Sequence, residues 1–178
     1  MVGEAGRLIL RGRCWKVGHG LALDGPVLPD QFVKARETDP EILKRHLLEE
    51  VNPSFAQLAK PGDILVTGRR FGHGNPHAYA FIGMKILGIG LVTESIPWGS
   101  FRNAISMGVA ILPYCPGVTE QVSDGDDLEV DFGAGLLRNL STGLECCFKP
   151  LPAAPLQIVL AGGLRPQTKR KLTELAHA

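Results

Sequence analysis

The sequence predicts an α/β fold: a short, mostly parallel central sheet flanked by helices. Three observations carry that expectation. Apolar runs DILVTG (63–68), IGLVTES (89–95) and VAILPY (109–114) recur with segments of helical spacing between them, the alternation that parallel strands with crossover helices require. Glycine and proline punctuate the junctions between those runs, where the chain must turn. Finally, 178 residues at 44% hydrophobic composition suffice for one substantial core and not for two full domains.

Taken in order, RLILRGRCWKV (7–17) alternates as an opening strand, and GHGLALDGPVLP (18–29) follows as a long loop. TDPEILKRHLLEEV (38–51) predicts a helix. It has a cap at Thr38 or Asp39, proline in the first turn, and Ile42, Leu43, Leu47 and Leu48 at helical spacing. NPSFAQLAKPGD (52–63) turns the chain into the first buried strand at 63–68. A largely buried helix is expected over 77–88, a parallel strand over 89–95, a short helix over 97–108 and a further buried strand over 109–114. Turn signals at Asp124-Gly125 and Gly143 separate short alternating runs, which predict a small antiparallel extension near 124–150 with strands over about 127–148. APLQIVLAGGL and RPQTKRKLTELAHA end the chain as helices. The whole is read as one domain, 1–178.

Composition narrows the function classes. With 19 basic against 18 acidic side chains, neither sign forms a long block, so no long-range field gathers nucleic acid or a membrane surface. No apolar stretch reaches the roughly 20 residues of a membrane helix, and the first residues lack a signal peptide's apolar core; the chain is read as cytoplasmic. Cys14, Cys115, Cys146 and Cys147 contain no CxxC pair. Neither a zinc ribbon nor a cluster-binding loop is written here, and four reduced thiols are expected.

The richest stretch is RRFGHGNPHAYAF (69–81), at the junction between the first buried strand and the helix after it. In an open α/β sheet, ligands bind beyond the carboxyl ends of the strands. Gly72 and Gly74 permit close backbone approach, Asn75 is a favoured N-cap, and Pro76 suits a first helical turn. A helix beginning there would present free N–H groups and its positive dipole end to a carboxylate or phosphate. The motif is neither a P-loop nor the dinucleotide fingerprint. Taken alone it is equally a capped helix with solvated histidines.

The wider stretch KPGDILVTGRRFGHG, followed by GIGLVTES and FRNAISMGVAILP, resembles the swivel-domain subunit of the aconitase superfamily, in particular the 3-isopropylmalate dehydratase small-subunit family. The resemblance runs nearly end to end, through Trp15, DPEILKRHLLEEVNPSFAQLAKPGD, SDGDDLEVDFGAGLLRNLSTG and LQIVLAGGL. It implies a swivelling β/β/α domain and a subunit of a two-chain hydro-lyase. A large aconitase-like partner would hold a [4Fe-4S] cluster, no metal would be bound by this chain, and a small hydroxy-carboxylate would be the substrate.

The departures matter as much. The family motif continues F-G-C-G-S-S-R-E: its first serine removes the proton α to a carboxylate, and the arginine two positions later grips a substrate carboxylate. Those positions here are Asn75 and His77, with Pro76 between and Ala78 in place of the acid; Trp98 stands for another usual arginine, while Arg102 and Asn103 are kept. Of the aspartates usual in the first loop only Asp24 corresponds. Three readings stay open. The base is relocated to His77 or His73, or the chain is a catalytically altered swivel subunit that binds or regulates a large partner, or another residue compensates. The expected site is therefore His77 and His73 as catalytic groups, with Gly72, Gly74, Asn75, Pro76 and Arg102 on the substrate. Histidine is the commonest general base. Tyr79, Arg69, Arg70 and His19 lie near it in sequence or at the same end of the sheet, and His46 and His177 are read as surface residues.

Overall fold

A computed structural model describes residues 7–74 and 77–176. Its sheet has seven strands in the order β4-β3-β2-β1-β5-β6-β7. β2 (Ile64–Thr67) and β3 (Gly90–Thr93) are the apolar runs the sequence marks, buried at every position. They pair in parallel with each other, and β2 pairs in parallel with β1 (Ile9–Lys16). β4 has contracted to Ile111–Leu112, parallel to β3. A strand buried on both faces reads as a continuous hydrophobic run, which is why these were legible.

β1 does two jobs. Its C-terminal half, Cys14 to Lys16, pairs with β2, while Ile9 to Arg13 pairs antiparallel with β5 (Asp127–Asp131). β6 (Leu136–Asn139) and β7 (Glu145–Cys147) extend that side antiparallel, where the turn signals place them. Asp63, almost fully buried, ties β1 to β2 by accepting from the Arg13 and Lys60 N–H groups and the Trp15 indole.

Helices cover the parallel part. α4 (Tyr79–Leu87) joins β2 to β3 and ends on Gly88, whose left-handed conformation closes the helix. α5 (Trp98–Met107) joins β3 to β4 and ends likewise on Gly108. α7 (Ala153–Leu160) and α8 (Leu164–Ala176) are the expected terminal helices. The short helices α1 (Asp30–Lys34), α3 (Phe55–Leu58) and α6 (Val118–Gln121) carry too little periodicity to announce themselves in the sequence.

Two expectations are corrected. The helix expected over 38–51 is only α2, Pro40–Arg45, capped by Asp39 through Glu41 N. Leu47 and Leu48 are fully buried but not helical: Leu48 sits at φ 58° and gives its N–H to Val27 O at 2.8 Å. Tertiary pairing thus overrides the local periodicity. His46, expected at the surface, is half-buried, with Nδ1 2.7 Å from Glu49 Oε2 and its ring 4.3 Å from that of Phe32. His177 lies outside the described residues. Among the described residues no helix is long and apolar enough to cross a membrane.

Candidate functional site

Because β1, β2, β3 and β4 run parallel, the loops that follow them all emerge at one end of the sheet. The loop after β1 and the glycine loop after β2 lie side by side and are hydrogen-bonded along their length. Gly68 N donates to Gly18 O, Gly20 N to Arg69 O at 2.8 Å, and Gly72 N to Leu21 O at 2.7 Å. Ala22 and His73 form a parallel bridge. From the opposite side Phe71 N donates to Ser95 O and Arg70 N to Ser95 Oγ, each at 3.0 Å, and Ser100 Oγ donates to Gly72 O. The glycine loop is therefore held from both flanks.

Two glycines are required by that packing. A Cβ on Gly68 would stand 2.2 Å from His19 Nδ1, so the His19 ring rests directly on the backbone. At Gly72, with φ +72°, a Cβ would meet Ser100 Oγ at 2.9 Å. Arg70 adopts φ +60° without being glycine, a conformation costing about 1–2 kcal/mol.

Each histidine of this rim has a defined partner, and the partner's chemistry fixes its proton. His19 Nδ1 accepts from Arg69 N at 2.9 Å, so in the neutral ring its proton is on Nε2. His73 Nε2 lies 2.9 Å from Gly20 O; a carbonyl only accepts, so Nε2 donates. His77 Nδ1 lies 2.7 Å from Asp24 Oδ2 and is exposed over 49% of its side chain. A carboxylate only accepts, so Nδ1 carries a proton, and in the neutral ring Nε2 is the acceptor.

The helix start differs from the expectation. α4 begins at Tyr79, with Ala78 in the cap position and no side-chain cap; His77 precedes the helix instead of lying in its first turn. Its N–H and ring both turn to Asp24, and its ring stacks on Tyr79 at 5.7 Å. The expected cap Asn75 and first-turn Pro76 lie outside the described residues. The carboxylate met by this end of the segment is the chain's own Asp24. Gly72 and Gly74 sit in the loop at positive φ as expected.

Further along the rim, Arg102 on α5 is exposed and, like Arg70, makes no ion pair among the described residues, while Arg69 Nε stands 4.0 Å from Glu94 Oε2. Glu94 is buried and accepts the Thr119 hydroxyl. Trp98, at the first position of α5, is 72% exposed. A cleft of about 520 Å³ beside His19 is lined by Lys16, Val17, Thr119, Ser123 and Asp124 and includes none of the glycine-loop residues.

Sequence reasoning missed Ser95 and Ser100, which hold the loop, and missed the partner of Asp24. Asp24 stood out as the corresponding aspartate of its loop, but nothing in the sequence ties it to a residue 53 positions later.

Cys14 and Cys115 are fully buried, and burial pushes each up to about 12. Cys146 and Cys147 lie on β7. Among the described residues no three candidate ligands converge.

No family model matches the chain. It is 37% identical over 169 residues to the isopropylmalate/citramalate isomerase small subunit of Methanocaldococcus jannaschii, covering 94% of this chain and 98% of that one. It is 45% identical over 156 residues to the 3-isopropylmalate dehydratase small subunit of Pyrobaculum neutrophilum, covering 87% and 93%. The crystal structure of a 3-isopropylmalate dehydratase from Methanocaldococcus jannaschii superposes with a TM-score of 0.85 at 27% identity, over 96% of this chain and all of the other.

Proposed function

The chain belongs to the 3-isopropylmalate dehydratase small-subunit family, and from that membership we propose that it is the small, swivelling subunit of a two-subunit hydro-lyase acting on a hydroxy-carboxylic acid, with His77 at the reacting centre. The large partner completes the site; the exposed Arg70, Arg102 and Trp98 of the rim support a site shared between chains. The [4Fe-4S] cluster belongs to that partner, in line with a chain whose four cysteines contain no CxxC pair and with the small-subunit names of its relatives. Residues 1–178 act as one swivelling unit.

The single observation that carries the site is the His77 ring, half-exposed at the position of the family's carboxylate-binding arginine. The role of this chain is on the proton side of the reaction. His77 Nε2 takes the proton from the carbon α to a carboxylate; the C–H bond breaks and an N–H bond forms. The electron pair becomes the new C=C bond as the hydroxyl on the neighbouring carbon leaves, assisted by a Lewis or Brønsted acid of the large subunit. Hydration reverses each step. His73, bonded to the Gly20 carbonyl, flanks the site, Gly72, Gly74 and Arg102 face the substrate, and Asn75 and Pro76, outside the described residues, are assigned to substrate binding from the sequence alone.

The substrate carries less carboxylate charge than isopropylmalate, or a bulkier apolar side. Two arginines of the family pattern are His77 and Trp98 here, which removes fixed positive charge and adds a large exposed aromatic surface. The test is kcat and KM against pH for wild type, His77→Ala and His73→Ala in the complex with the large subunit. A positioned base contributes about 10²–10⁴ in rate, so His77→Ala should lose that much kcat; unchanged kinetics would remove His77 from the site.

A further inference from the structure

We infer that Asp24 is the positioning residue that makes His77, and not His73, the proton acceptor. This rests on the reading of His77 as the group at the reacting centre, and it separates a base there from a carboxylate binder.

The two histidines each keep one ring nitrogen free to accept, so tautomer alone does not separate them. Their partners do. His73 Nε2 donates to a neutral carbonyl, Gly20 O, which offers the imidazolium no countercharge. His77 Nδ1 donates to the carboxylate of Asp24 at 2.7 Å, which stabilises the positive charge that appears when Nε2 takes a proton. The same bond fixes the ring's orientation, as the buried aspartate does in serine hydrolases. Asp24 itself is three-quarters buried, and His77 is its one ion-pair partner among the described residues. Tyr79, stacked at 5.7 Å from α4, is the other titratable group against the ring.

The pair also argues against carboxylate binding. Protonated, it is neutral overall, whereas the arginine of the family pattern brings a full positive charge. A substrate carboxylate on Nε2 would feel Asp24 across the ring at about twice the distance, and because Coulomb energy falls as 1/r, about half the attraction is cancelled. As a base the pair has the opposite advantage: its charge goes from negative to neutral in the step it assists.

The experiment compares Asp24→Asn, Asp24→Glu and His77→Ala in the assembled complex, and reads the His77 tautomer by ¹⁵N NMR of the full-length chain. Asp24→Asn should lower kcat at least about 10-fold and up to about 10⁴-fold, the loss when the orienting aspartate of a serine hydrolase becomes asparagine, with KM within about twofold. Asp24→Glu should recover part of kcat. Wild-type His77 should carry its proton on Nδ1 and the Asn variant should not. A kcat within about twofold of wild type in Asp24→Asn, an effect confined to KM, or an Nε2–H tautomer in the wild-type chain would overturn the inference. If Asp24→Asn fails to assemble, the wild-type tautomer decides. Failure of this inference alone would leave His77→Ala impaired; failure of the underlying reading would leave His77→Ala active.

Discussion

The antiparallel arm, formed by β5 to β7 and the first half of β1, and the rim at the carboxyl ends of β1 to β4 treat their charges in opposite ways. On the arm, Arg7 meets Asp131 at 2.7 Å, Arg11 meets Asp127 at 2.8 Å, Arg13 meets Asp124 at 2.9 Å, and Arg138 bridges Glu129 and Glu145. On the rim, Arg70 and Arg102 are exposed with no ion pair among the described residues, Arg69 reaches Glu94 only at 4.0 Å, and Arg70 holds a strained backbone. The arm answers its charges internally. The rim leaves Arg70 and Arg102 without an ion pair among the described residues, and removing Arg102 tests whether such a cation meets a substrate.

The comparison breaks first at Gly72. Alanine there must adopt φ +72° and stand 2.9 Å from Ser100 Oγ, so the loop has to shift. A displacement of about 1 Å at a reacting centre costs about 10²-fold. We expect Gly72→Ala to lose about that much kcat in the assembled complex while unfolding changes by about 1–2 kcal/mol. Full activity in this variant would mean that the glycine loop does not position the chemistry.

That loop also marks how far the sequence could be read. The strands 64–67 and 90–93 were legible because full burial writes itself as unbroken apolar runs. The family was legible because FGHG and FRNAISMG keep their spacing. The end of α2 was not, since Leu48 leaves the helix to bond Val27, a contact set by tertiary position. The start of α4 was misjudged for a similar reason: His77 is drawn out of the helix by Asp24, from a loop 53 residues earlier. Pairing across loops has no period, so the Asp24–His77 contact became visible only in three dimensions.

The arm's most sensitive point is Asp131. Burial alone would push its carboxyl up, but the Arg7 side chain and the N–H groups of Ala134 and Gly133 outweigh that and hold it below the ordinary carboxylate range. A carboxyl lowered in the folded state stabilises fully above its unfolded pKa of about 3.9. That contribution is lost as pH falls through the lower folded value. Asp131→Ala should cost about 1–3 kcal/mol by leaving those donors unpaired and should flatten acid unfolding below about pH 4, with kcat unchanged. A stability loss absent at pH 7, or a fall in kcat, would blur the distinction between arm and rim.

A matched pair of arginine deletions sharpens it. Arg138 is exposed in two ion pairs, and such pairs contribute about 0–1 kcal/mol each, so Arg138→Ala should change stability slightly and kinetics not at all. Arg102→Ala should leave the melting temperature unchanged and raise KM about tenfold, the loss of roughly 1.4 kcal/mol of binding. Equal behaviour of the two variants in KM would remove Arg102 from the substrate's surroundings.

The smallest effect is expected at the outer edge of the arm. The thiolate is the reactive form of cysteine, so alkylation reads burial and charge together. Cys14 and Cys115 are fully buried and pushed up to about 12 by that burial. Cys146 is raised by partial burial and by its neighbours Cys147 and Glu145, and its thiol faces Gln121 Oε1. Cys147 is exposed on β7, the edge strand of the sheet. Iodoacetamide at pH 8 should therefore label Cys147 first, Cys146 more slowly, and the other two only on unfolding, as mass spectrometry of the intact chain would follow. Since β7 is separated from β2, the strand that carries the glycine loop, by β6, β5 and β1, the singly labelled chain should assemble with its large subunit and keep full kcat. Lost assembly at that stage would extend the partner's footprint onto the arm, and lost kcat with assembly intact would show that the arm's charges and the rim's are coupled after all.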